Sequence, residues 1–258
     1  MAFILLAKPK EKNMVMIVFA AEAKGKNVRL PDVGDEGWCA AGKNLVKKHL
    51  RQKNLLVALN DKPMKTNEIL QFALGLELGT YIFDKYQSEP EEMLEQIVLY
   101  CNNPQNLKEL YKPYAALANV VRYARDIVNE PAEKYDDYEV FCEIKRLTYL
   151  GLKHSLLRDD FWEMSWDGEK TERPLFYYAE GRFACAVGAA VLKALALQKQ
   201  PRRVKIFMTL AKKNINVNDL LAEEPIYKIK EKGGEEDIEQ CVFRLYNDIL
   251  YGAEHEKR

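Results

Sequence analysis

AALANVVRYARDIVNEPAEKY, residues Ala115 to Tyr135, sits near the middle of a chain of 258 residues. Leu117, Val120, Val121, Ala124, Ile127 and Val128 recur at i, i+3, i+4, i+7, i+10 and i+11, which sets them on one apolar stripe of a helix. Arg122, Arg125 and Asp126 fall on the other face. Asn129 suits a helix C-terminus, and Pro131 cannot continue one. The spacing predicts a linking helix with a hard stop over residues 113–135. An α/β half is expected on either side, over residues 1–112 and 136–258.

Working outward, composition narrows the classes. Apolar residues make up 48% of the chain, which suits a globular protein and argues against disorder. Lys plus Arg number 39 and Asp plus Glu also 39, so no global field directs the chain to nucleic acid or an anionic membrane. The longest apolar runs, such as Met14 to Ala21, are too short to span a bilayer. MAFILLAKPK lacks a basic n-region and a small-residue cleavage site, which argues against a signal peptide. Cys39, Cys101, Cys142, Cys185 and Cys241 lie far apart with no CxxC pair. They are expected to be buried thiols in a reducing compartment, neither a disulfide frame nor a zinc site. The expected location is the cytoplasm, with an organelle matrix also compatible.

In chain order, Ala2 to Ala7 and Asn13 to Ala21 read as strands. Trp38 to Gln52 reads as an amphipathic helix, with Ala41, Leu45, Val46 and Leu50 inward and Lys43, Lys47 and Lys48 outward. Asn54 to Leu59 reads as a strand. Thr66 is the expected cap of a helix from Asn67 to Tyr86, and Gln96 to Cys101 is a further strand. Asn106 is expected to cap a helix that Pro113 interrupts before the central one. This alternation predicts a layered α/β domain with a mostly parallel sheet. Beyond Pro131, a helix is expected over Tyr138 to Leu150 and a strand over Leu152 to Leu157. No clear period runs through Arg158 to Arg173. Phe183 to Lys199 reads as a strong helix, Val204 to Leu210 as a strand, Asn214 to Gly234 as loop, and Asp237 to Glu254 as a last helix.

Five stretches carry a resemblance. ARDIVNEP resembles the helix-to-loop signature joining the two domains of the leucyl aminopeptidase family, dinuclear-metal cytosolic exopeptidases. LQFALGLELGTYIFDKY, Leu70 to Tyr86, is similar to the last helix of that family's N-terminal domain. AVGAAVLKALALQKQP, VKIFMTLAKKN and RLYNDILYGAE resemble, in order, a small-residue helix, the strand after it and a later helix of its catalytic domain. The resemblance implies a shortened macro-domain-like N-terminal sheet, with Met1 to Lys12 in place of its first elements. It implies a truncated aminopeptidase-like C-terminal sheet whose open edge is remodelled or covered by a partner.

The family cleaves N-terminal residues with two divalent metals bridged by a water, which requires several converging carboxylates. Nothing between Pro131 and Gly188 matches its first metal-binding stretch. Asp159, Asp160, Asp167 and Glu169 are acidic there, but the companion lysine and glycine pair are missing, so they read as solvated charges. At the Asp that opens the family's small-residue helix stands Ala184, with Arg182 near its second lysine-like position. Glu180, in AEGR, is the candidate for a displaced ligand. Before the last helix, one register keeps Arg244 as a remnant but puts Gln240 and Val242 at the carboxylate positions. The other puts Glu239 and Cys241 there and Phe243 in place of the arginine. Glu235, Glu236, Asp237 and Glu239 read as charge at a helix N-terminus. His49, His154 and His255 are isolated, and there is neither a GxSxG elbow nor a phosphate loop around Lys43.

The resulting expectation is a degenerate, shortened leucyl aminopeptidase relative without catalytic residues, cofactor or bound metal. It would act as a structural or interaction subunit, in a homo-oligomer or a larger protein assembly. The alternative is an active aminopeptidase that uses Zn or Mn on relocated ligands, Glu180 and Glu239. A second alternative is a nucleic-acid-binding accessory protein using Lys43, Lys47, Lys48, Arg51 and Lys53, or Arg202, Arg203, Lys212 and Lys213. Such runs read first as solvated faces, so nucleic acid is disfavoured.

Overall fold

The computed structural model describes residues 15–21, 27–83, 94–130, 139–140, 142, 144, 153–158, 161–168, 173–210, 225–229 and 237–252. The chain divides into two units, Met1–Ala118 and Asn119–Arg258. It is mixed α/β, and among the described residues each unit has one sheet.

In the first unit β1 (Met16–Ala20), β2 (Asn54–Ala58) and β3 (Gln96–Tyr100) pair in the order β1-β3-β2, all parallel. Parallel neighbours need long crossovers, and α1 (Gly37–Lys47) and α2 (Thr66–Gly79) supply them. Leu55, Val57, Ile97 and Leu99 are sealed in the core, as the continuous apolar strands of a parallel sheet should be. Val28 adds a parallel bridge to Val57.

The glycines of α2 have a packing reason. α1 and α2 lie so close that a Cβ on Gly75 would run into the carbonyl of Cys39, and one on Gly42 into that of Phe72. Trp38 then meets Phe72 edge to face, with ring centroids 6.1 Å apart.

Helix ends differ from expectation for local reasons. α1 stops at Lys47, and His49 donates its amide to Val46 in a turn that replaces the expected last turn. Thr66 opens α2 instead of capping it, and the Lys65 amide donates to Glu68 Oε2 at 2.6 Å. α2 ends at Gly79, short of Tyr86. The Thr80 hydroxyl donates to the Glu77 carbonyl at 2.7 Å, satisfying an acceptor at the helix end. α3 (Pro104–Asn129) is one continuous helix. Its cap is Asn103, whose side chain accepts from the Asn106 amide at 3.4 Å, with Pro104 following at the position proline favours. Pro113 does not divide it, because it lies on the exposed side, where the carbonyl it leaves without an amide can be hydrated. Val120, Val121, Ala124 and Ile127 are buried, as their spacing predicted, and the helix ends at Asn129.

The second unit has a mixed sheet in the order β4-β5-β7-β6-β8. β4 (Lys153–Arg158) and β7 (Val204–Thr209) run antiparallel to β5 (Phe161–Trp166), while β6 (Leu175–Glu180) runs parallel to β7 and to β8 (Ile226–Lys228). β5 falls where no period was expected and β8 where loop was expected, while β6 lies in a stretch for which no element was expected. α4 (Gly181–Leu197) packs on β5, β6 and β7, and α5 (Ile238–Tyr251) packs on α4. Glu139, Val140, Cys142 and Ile144 are helical, with Val140 and Ile144 buried.

All five cysteines are free thiols; Cys101, Cys185 and Cys241 are buried, but Cys142 is exposed and Cys39 half-buried, against expectation. No helix among the described residues is long and apolar enough to cross a membrane. The strand expected over Ala2 to Ala7, and Asp159, Asp160, Glu169, Lys212, Lys213, Glu235, Glu236 and His255, lie outside the described residues.

Candidate functional site

The residues that the family resemblance singles out collect at two helix N-termini of the second unit. At the first, β6 passes into α4 with no intervening loop. Gly181 makes this possible with φ of 85°, a left-handed value that favours glycine. Ala184 lies in the first turn, fully buried, and offers no oxygen. Arg182 Nη1 donates to the Glu130 carbonyl at 2.9 Å, just beyond the end of α3. Glu180, the last residue of β6, points Oε2 at Lys228 Nζ of β8, 3.3 Å away. The Cys185 thiol sits 3.4 Å from the Thr209 carbonyl, at the end of β7. Burial, followed by the charge of Glu180, pushes the Tyr178 phenol up to about 12.

At the second, Asp237 caps α5 by accepting from the Gln240 amide at 3.0 Å. Glu239 is not a solvated charge; its side chain is 3% exposed, and its Oε2 accepts from Arg125 Nη2 at 2.6 Å. Asp237 Oδ2 lies 3.6 Å from the same nitrogen. Arg125 is therefore not on a solvent face of α3, as its position opposite the apolar stripe suggested, but 14% exposed and bound to the start of α5. Position in sequence gave no signal for this pair, whose members are 114 residues apart. Of the other register positions, Gln240 is exposed and Val242 is in the core. Arg244 is exposed on α5, with Nη2 3.9 Å from Cys241 Sγ. Asp167 is exposed.

Lys193 is a further residue that the helical pattern did not mark. It is buried among the small residues of α4, and desolvation holds its ammonium below the usual lysine value.

A pair of divalent ions would need several oxygen donors turned to a common point. At the described positions this requirement is not met: Ala184 and Val242 have no side-chain donor, and Glu239 and Glu180 each face a cation of the chain. Among the described residues no group of three or more His, Cys, Asp and Glu side chains is placed to hold a metal.

No family profile matches the chain. It is 31% identical over 101 residues to a probable cytosol aminopeptidase of Chelativorans sp. strain BNC1, covering 37% of this chain and 20% of that protein. Against a probable cytosol aminopeptidase of Rhizobium leguminosarum bv. trifolii it is 24% identical over 165 residues, 62% of this chain and 33% of that one. A tomato leucine aminopeptidase superposes with a TM-score of 0.59 at 14% identity, over 72% of this chain and 47% of the tomato chain. The bottromycin maturation enzyme BotP, solved in complex with Mn, gives a TM-score of 0.54 at 19% identity, over 67% of this chain and 47% of its own.

Over part of its length the chain is similar to members of the leucyl aminopeptidase family. It spans between a fifth and a third of the length of these curated relatives and just under half of these solved chains. As a leucyl aminopeptidase-like protein it shares the mixed α/β fold of its structural neighbours.

Proposed function

We propose that this leucyl aminopeptidase-like chain has lost metal-dependent peptidase activity and works as a structural or interaction subunit. The observation that carries this is the pairing of its two candidate carboxylates with cations of the chain. Glu239 is buried against Arg125, and Glu180 faces Lys228. To bind a divalent cation, Glu239 would have to release the Arg125 guanidinium, which also lies 3.6 Å from the half-exposed Asp237. Leaving a desolvated charge without its partner costs several kcal/mol, about 3–5 for a buried pair. Ala184 and Val242 add no donor in compensation.

On this proposal the surviving use of the fold is its surface. The partner is a second copy of the chain or another protein of a larger assembly, and the compartment is the cytoplasm, as the names of its cytosol aminopeptidase relatives suggest. Arg244 is then a remnant of the family box and not a working group.

The test pairs thermal unfolding with a peptidase assay on the full chain at millimolar Mn²⁺ and Zn²⁺. A native-state metal site raises the melting temperature, since a ligand at about 100 times its Kd adds about 2.7 kcal/mol. The expected outcome is no metal-dependent rise in Tm and no hydrolysis of leucine amide. A rise in Tm accompanied by hydrolysis that Glu180→Ala abolishes would instead establish an active aminopeptidase with relocated ligands.

A further inference from the structure

We draw no further inference here: the strongest candidate, the cationic patch at the C-terminal end of α1 formed by Lys43, Lys47, Lys48, Arg51 and Lys53, carries nothing, because Lys53 pairs with Glu95, Lys43 and Arg51 are engaged within the chain, cations are what a helix C-terminus ordinarily gathers, and nothing in the structure shows what covers it.

Discussion

Glu77 in the first unit and Glu239 in the second are both almost sealed from solvent, 5% and 2% exposed, and each is satisfied by a side chain of α3. The chemistry differs. Glu77 sits inside α2, and its Oε2 accepts from the Tyr111 hydroxyl, which also lies 3.2 Å from the Ala73 carbonyl. Glu239 sits in the first turn of α5 and accepts from a guanidinium, while Asp237 shares that cation and caps the helix. A hydroxyl offers a carboxylate a hydrogen bond without an opposite charge. A guanidinium cancels the carboxylate's charge, and the N-terminal helix dipole adds to that. The Glu77 arrangement therefore ties helix to helix, whereas the Glu239 arrangement makes two buried charges mutually dependent.

This contrast is most exposed by Arg125→Ala. Removing the guanidinium takes from the buried Glu239 its ion-pair partner at 2.6 Å, and denaturant unfolding should show a loss of about 4 kcal/mol. Pairing Arg125→Met with Glu239→Met should restore most of it, since neither charge is then left behind. A single-variant loss under about 1 kcal/mol would mean that the pair behaves like a surface contact, and the contrast with Glu77 would collapse.

Tyr111→Phe comes next, with an expected loss of about 2 kcal/mol near neutral pH from an under-satisfied buried carboxylate. The same variant has a pH signature. Burial and then the Glu77 charge raise the Tyr111 phenol above its ordinary value of 10.0. A folded-state pKa above the unfolded one gives stability that is whole below the unfolded value and is lost as pH climbs past it. Unfolding free energy should therefore fall above about pH 10, and Tyr111→Phe should make the fall shallower by up to about 1.4 kcal/mol per pH unit. An unchanged alkaline slope would count against the buried-phenol account.

Asp237→Ala probes the cap separately from the charge and should cost about 1 kcal/mol, with Asp237→Asn recovering most of it, as read by thermal unfolding. The smallest effect belongs to Lys228→Ala. Lys228 is more than half exposed, so its pair with Glu180 is screened, and its loss should stay within about 0.5 kcal/mol.

Much of the fold was legible where one period runs unbroken. The stripe from Val120 to Ile127 and the small-residue run from Ala184 to Leu195 each have a single burial pattern over several turns, so helix and core face followed directly. The strands of the second unit were harder. In β5, Phe161–Trp166, the inward Met164 and the half-buried Trp162 and Trp166 share register with Glu163, which is held by Lys205 of β7 at 2.8 Å. Trp162, Met164 and Trp166 do alternate with Glu163 and Ser165, but a period of two over so few residues does not stand out between polar flanks. Pro113 misled in the opposite direction, since a break was expected where the proline stands on the exposed side of a continuous helix. At the candidate site, the substitutions Ala184 and Val242 were visible as departures from a family pattern. The partners of Glu180 and Glu239 were not, because Lys228 and Arg125 are brought to them only by the sheet and by helix packing.

α3 has a practical consequence for anyone dissecting the chain. The boundary between the two units, after Ala118, falls inside a helix that runs from Pro104 to Asn129. A fragment cut at that boundary would end mid-turn and forfeit its terminal carbonyl bonds. One extended to residue 130 would display Val120, Val121, Ala124 and Ile127 to water. Truncations placed at the seam should thus yield sticky, poorly expressed halves, and excision is better attempted outside this rod.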